Sequence, residues 1–276
     1  MDIASLGAAI GLHPDASALV LEYDRTEGGN YSAHKASFLR DREAMLASVK
    51  QRADYRPFLL YFFVRMAVDV HDEYRLRDIP DEVHTDTFSD IRIWSEVCKT
   101  TYGEYGIEES GWLQGHVRLA LFRLGRLQFQ PIALDRDLIF GERKFAKGGL
   151  VLNVHIPVGG PLDPQAALAS FARARAFFRG VPPIFVCHSW LLYPGLDQVL
   201  ESDSNIMQFQ RLFEIYEVDE TSRQAEERIF GIGAVTDDPA AYEARTGLQR
   251  RAKAYLASGG KLGAGRGIYT VDEVRG

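Results

Sequence analysis

The stretch "FVCHSWLL", residues 185–192, sets a thiol, an imidazole and a hydroxyl side by side as Cys187, His188 and Ser189. Adjacent in sequence is not adjacent in space. Side chains alternate across a strand, so His188 and Trp190 take one face while Cys187 and Ser189 take the other. Cys187 and His188 therefore cannot pair with each other as thiolate and imidazole. A nucleophilic Cys187 needs a histidine from elsewhere, with His155 the candidate, and it needs exposure and a lowered pKa. Without them an unpaired cysteine simply packs.

A second chemical stretch is "HIPVGGPLDP", residues 155–164, which follows a strand and opens a helix. Gly159 and Gly160 free the turn to aim backbone N–H groups at an anion, with the helix dipole assisting. The turn carries neither G-K-[ST] nor G-x-G-x-x-G. Asp163, placed as the helix N-cap, competes for those N–H groups and repels an anion. Two readings stay open, a phosphate cradle and an ordinary tight turn. His155 sits at the carboxyl end of its strand, where ligands of open sheets collect, and an imidazole there can act as general base. Asn153 shares its face, and His188 fits the same description less closely. No H-x-x-x-H, C-x-x-C or H-E-x-x-H spacing occurs, so no metal is expected. The tail "GGKLGAGRG" reads as a phosphate loop or as a turn into a final strand.

The elements that must position these residues follow from periodicity. "GLVLNVHIP" and "PIFVCHSWLL" read as strands 150–156 and 184–190, and "RLQFQPIAL" alternates through Leu127 and Phe129 as a half-buried strand. Between the first two lies a helix with Asp163 as N-cap and Pro164 as first residue. Strand, helix, strand makes a βαβ unit with parallel strands. The first half reads as helical. "HKASFLRDREAMLASVKQR" places Phe38, Met45, Leu46 and Val49 on one face, and the apolar residues behind Pro57 indicate a helix buried on most sides. "TFSDIRIWSEVCK" opens with Thr87 and Asp90 in capping-box spacing. "SGWLQGHVRLALFRLG" continues as a helix to a stop at Gly125, with His116 a core or boundary histidine. A last helix starts near Thr246 to Gln249 and ends at Gly259.

Composition narrows the classes. The chain has 276 residues, 46% hydrophobic and 25% charged, the profile of a soluble globular protein. A net charge of −6 disfavours nucleic acid as the main partner. Cys98 and Cys187 imply no disulfide framework. The start lacks a signal peptide's basic n-region, and the longest apolar run, 57–70, contains Arg65 and is too short for a bilayer. The expectation is a cytoplasmic protein without a membrane partner.

Taken together, "HIPVGGPLDP", "FVCHSWLLYPGL" and "SNIMQFQRLF", with "WLQGHVRLALFRLGRLQFQP" upstream, resemble a family of two-domain bacterial acyltransferases. Its members join a helical N-terminal domain to a C-terminal domain similar to the GNAT (GCN5-related N-acetyltransferase) fold. The resemblance implies an α+β protein, with a helical domain over 1–124 packed on a GNAT-like mixed-sheet domain over 125–276. It implies acyl-CoA, such as acetyl-CoA, as co-substrate, held where the two parallel strands splay, with pyrophosphate on the turn of Ile156, Val158, Gly159 and Gly160. A small amine would attack the thioester directly near His155, with His188 close by, and Tyr193 is the nearest match to the tyrosine that protonates the departing thiolate. Asn153, Ser189 and Trp190 would line the substrate side. The usual turn of that fold is Q/R-x-x-G-x-G/A, where this chain has V-G-G-P-L-D. Two rivals remain: a cysteine-dependent transferase or hydrolase using Cys187 with His155, and a non-catalytic domain that binds a ligand or a protein.

Overall fold

A computed structural model describes residues 1–271. The chain divides into two compact units, Met1–Leu124 and Gly125–Gly276, of which residues 272–276 lie outside the described part. It is α+β: helices fill the first unit, and a mixed sheet organises the second.

The first unit holds helices α1 (Ile3–Ala9), α2 (Pro14–Glu27), α3 (Tyr31–Arg40), α4 (Arg42–Val49), α5 (Tyr55–Leu76), α6 (Asp81–Tyr102) and α7 (Ser110–Val117), then a short strand β1 (Phe122–Leu124). Helix α5 is the hub, because Phe58 through Val64 are all completely buried. Burying such side chains contributes about 1.5–3 kcal/mol each, which explains an apolar run that shows no polar stripe. Three sequence expectations are corrected here. The helix expected across residues 34–52 breaks at Asp41, whose carboxylate caps α4 by accepting from the Ala44 N–H. Thr87 is no N-cap; it lies inside α6 and accepts from the Arg123 N–H. Helix α7 stops at Val117 rather than Gly125, since Leu119 takes a left-handed φ of 54° and the chain turns extended. His116 is a core histidine, fully buried, with Nε2 3.0 Å from Asp90. No helix of the described residues is long and apolar enough to cross a membrane.

The second unit runs β2 (Leu127–Ala133), β3 (Leu138–Phe140), β4 (Arg143–Phe145), β5 (Leu150–His155), α8 (Pro164–Phe177), β6 (Ile184–Ser189), α9 (Asn205–Gln210), β7 (Glu214–Asp219), α10 (Gln224–Phe230), α11 (Gly247–Ala257) and β8 (Ala264–Thr270). Its main sheet has the order β2-β5-β6-β8-β7, with β5 and β6 parallel and the other neighbours antiparallel. The βαβ unit read from sequence is present, with Asp163 capping α8 through the Ala166 N–H. One sheet face is aromatic: Phe129, Phe185 and Tyr269 pack with Phe171 of α8. On the opposite face Val151, Val186 and Ile268 cluster with Leu138 of the β3–β4 hairpin, an element that alternation over so few residues did not reveal. The glycine-rich tail leads into strand β8, which holds Gly265 and Gly267. A Cβ on Gly265 would stand 2.3 Å from the Leu192 carbonyl oxygen, so its glycines allow close packing rather than phosphate binding.

In α6, His84 is buried with Nε2 2.9 Å from the Ala67 carbonyl oxygen, and burial lowers its pKa to about 4. A folded-state pKa below the unfolded value means the unfolded chain takes up the proton first. Stability is therefore intact above pH 6.5 and falls by about 3 kcal/mol as pH drops toward 4. Denaturant titrations across that range check this: His84→Gln should flatten the slope, and an unchanged slope would contradict it.

Candidate active site

The feature that makes a site is a parallel pair that parts. Strands β5 and β6 are in register only at Leu152 with Phe185 and Asn153 with Val186. Beyond that, β5 continues to His155 held by β2, and β6 continues to Ser189 held by β8. Each arm is fixed along its outer edge while the inner edges lose each other. Backbone N–H and C=O groups on those inner edges are left for a ligand or solvent, because a buried backbone polar group must be satisfied.

The turn after β5 closes the narrow approach to α8. Gly159 and Gly160 have φ of 117° and 65°, conformations that a side chain would strain. Among the described residues no acceptor takes the N–H of Val158, Gly159 or Gly160. The turn lacks its own basic residue, but Arg126 supplies one from the start of β2. Its guanidinium donates to the carbonyl oxygens of Pro157 at 2.9 Å and Pro161 at 3.1 Å, and reaches that of Gly160 at 3.4 Å. Its own N–H donates to Ser170 Oγ on α8 at 2.9 Å. Charge and turn are thus pinned to the same helix. Nothing in the turn's own sequence pointed to this arginine, since it lies about thirty residues upstream; only the sheet order brings it there.

On the face opposite the aromatics, strand register aligns polar side chains. Gln128 is level with His155, and Gln130 with Asn153. Asn153 Nδ2 and Gln130 Oε1 lie 3.0 and 3.3 Å from His155 Nε2. One ring nitrogen cannot serve both: it accepts from Asn153 or donates to Gln130. Either way Nε2 is engaged. His188 shares that face on the other arm. It is exposed, and its ring has no hydrogen-bond partner among the described residues. Partial burial and then Arg266, its cross-strand neighbour, hold its pKa below the usual 6.5, against the pull of Asp219 and Glu217.

Other expected site residues fall elsewhere. Cys187 is 2% exposed on the aromatic side of the sheet, and burial pushes its thiol up to about 12. A thiol that stays protonated is no nucleophile, so the pairing with His155 is overturned. Ser189 is buried, with its Oγ accepting from the Leu191 N–H, and so ends the strand instead of facing a substrate. Trp190 is not on the strand; it begins a 3₁₀ turn and packs against the apolar cluster that includes Leu196 and Val199. The Tyr193 ring is buried in that same apolar cluster, and burial, then Glu220, raise its pKa. It is not among the residues gathered at the parted strands. Ile156 is half-buried ahead of the turn, and Val158 is exposed on it. Among the described residues no group of His, Cys, Asp or Glu converges as metal ligands would.

A mixed sheet with a parallel pair splayed over a glycine turn and a helix N-terminus defines a GNAT-like transferase domain. Family models agree, one for a GNAT-like C-terminal domain matching residues 121–269 and one for an N-acyltransferase N-terminal domain matching residues 1–119. The chain belongs to this two-domain acyltransferase family. Solved structures share the fold across nearly the whole chain. One, described as an acyltransferase in complex with decanoyl-CoA and teicoplanin, is 23% identical with a TM-score of 0.67, covering 98% of this chain and 99% of that one. Another, in complex with CoA and 10C-teicoplanin, is 22% identical with a TM-score of 0.68, covering 98% and 99%. No curated protein matches the chain.

A buried, protonated Cys187 should resist alkylation by iodoacetamide at pH 8 in the native state, as followed by intact mass. Rapid modification of Cys187 in the folded protein would contradict its placement.

Proposed function

We propose that the chain transfers an acyl group from an acyl-CoA thioester to an amine, by direct attack with both substrates bound. The observation that carries this reading is the parting of β5 and β6 beyond Asn153 and Val186, beside a turn whose N–H groups are free of protein acceptors. Solved structures of the same fold hold decanoyl-CoA or CoA, which supports a CoA thioester as donor. Val158, Gly159 and Gly160 would bind the pyrophosphate, with Arg126 adding positive charge where the turn's own sequence has none. The pantetheine arm would then run into the parted strands, whose inner-edge amides can hydrogen-bond it and polarise the thioester carbonyl.

Of the two histidines, His188 is the better proton acceptor. His155 Nε2 is engaged by neighbouring amides, whereas the His188 ring is exposed and its lowered pKa keeps it neutral at physiological pH. The amine nitrogen attacks the thioester carbon and gives its proton to His188. The tetrahedral intermediate then collapses, the C–S bond breaks, and the imidazolium returns the proton to the departing thiolate. A single histidine serves both steps, so Tyr193 is not needed as an acid. Asn153 and Gln130 would orient His155 as part of the floor beneath the acceptor.

His188→Ala should lower turnover by about 10²-fold or more while decanoyl-CoA still binds by calorimetry. An unchanged rate would remove His188 as the base. Activity requires the neutral ring, so the acidic limb of the rate profile should have its midpoint below pH 6.5, and His188→Gln should abolish that limb. A midpoint above 6.5 would contradict the assignment. Arg126→Ala should weaken decanoyl-CoA binding by roughly 10-fold, as loss of one charge-assisted contact does. Undiminished binding would place the phosphates elsewhere.

A further inference from the structure

One buried amide on the polar face faces no polar partner among the described residues. Gln128 is completely buried, yet among the described residues neither its Oε1 nor its Nε2 has a hydrogen-bond partner. Leaving a buried amide unpartnered is costly, and apolar residues of the same size avoid that cost. Strand β2 uses such residues freely, with Leu127 and Phe129 fully buried on either side in sequence. Register also places Gln128 on the polar face. It is level with His155 in the β2–β5 register, so the two side chains leave the sheet on the same face. Gln130 Oε1 and Asn153 Nδ2, in the next pair along, compete for His155 Nε2, whereas the Gln128 amide meets no such group among the described residues.

We propose that the Gln128 amide is a specificity-determining group that holds the acyl acceptor on the polar face beside His155. The proposal rests on the amine-transfer reading above and deepens it. An amide offers one acceptor and two donors, so its complement is a molecule presenting both a donor and an acceptor close to the attacking amine. The side chains beside it on β2 and β5 are Gln130, Asn153 and His155, none of them a carboxylate. The acceptor this floor fits is an uncharged hydroxylated or amide-bearing skeleton with its amine at the edge. A site built to hydrogen-bond such groups discriminates strongly against an analogue lacking them, because the orphaned amide stays orphaned.

The test compares two amines of similar size, 3-amino-1,2-propanediol and n-butylamine, as acceptors with decanoyl-CoA, with products quantified by mass spectrometry. The unsubstituted protein should acylate the diol with a kcat/KM at least about 10-fold above that for the alkylamine. Gln128→Leu should remove most of that preference by lowering the rate for the diol, leaving the rate for n-butylamine within about twofold. Two further readouts separate specificity from structure. The melting temperature of the ligand-free Gln128→Leu protein should be unchanged or raised, since no hydrogen bond is lost. Its calorimetric affinity for decanoyl-CoA should also be unchanged. A preference that survives Gln128→Leu overturns the proposal, as does a lowered melting temperature or a selective loss of decanoyl-CoA binding. If the unsubstituted protein binds decanoyl-CoA but acylates neither amine, the amine-transfer reading fails and the role of Gln128 falls with it. Acylation of both amines without preference leaves that reading intact and overturns the Gln128 proposal alone.

Discussion

Everything at this site depends on two parallel strands ceasing to pair. A sheet gains from continuing its ladder, so a gap between β5 and β6 persists only if other contacts outweigh the lost hydrogen bonds. Here they do. Strand β6 is bonded to β8 from Ile184 to Ser189, and β5 to β2 from Leu150 to His155, so closing the gap would break one of these antiparallel ladders. The glycines of β8 help hold β6 in place. Without side chains at Gly265 and Gly267, the turn at Leu192 presses directly on β8, just beyond the end of β6. The aromatic layer of Phe129, Phe171, Phe185 and Tyr269 backs the opening from one side. The opening is thus set by the pairing of the sheet rather than by a loop, as the proposed positioning of a thioester carbonyl would require.

The two ends of that opening divide the chemistry. Toward α8 lie the glycine turn and Arg126, whose guanidinium and backbone N–H tie the turn to the helix. This arrangement lets an acidic N-cap coexist with the proposed anion site. Asp163 is committed to the Ala166 N–H, while the amides of Val158, Gly159 and Gly160 stay unclaimed and the positive charge arrives from another strand. Toward the polar face lie the neutral amides and the two histidines. The difference between those histidines is one of partners: His155 is engaged by amides, His188 by none.

Much of the fold was legible because it rests on local rules. Asp163 before Pro164 gave the start of α8, alternation gave β2, the apolar runs at 150–156 and 184–190 gave β5 and β6, and Thr246 to Gln249 marked the start of α11, where the structure contains a capping box. The failures have physical causes. Residues 118–124 carry leucines that satisfy a helical period, yet Leu119 at φ 54° ends the helix and the next residues extend. The "FVCHSWLL" stretch kept its alternation only as far as Ser189, after which the 3₁₀ turn carried Trp190 and Tyr193 into an apolar cluster. Alternation did separate Cys187 from His188 correctly. What it could not give was register. Gln128 and Gln130 looked like the solvent side of a half-buried strand, and only pairing with Asn153 and His155 reveals them as a polar floor. Arg126 was hidden for the same reason.

The central claim, that the parted strands and the glycine turn hold an acyl-CoA, is tested most directly by backbone amide shifts of the labelled protein titrated with decanoyl-CoA. The account predicts the largest changes at the turn of Val158, Gly159 and Gly160 and along the inner edges at Val154, His155 and Cys187 to Ser189. Saturable binding that leaves those amides unmoved, or no binding at all, would contradict it.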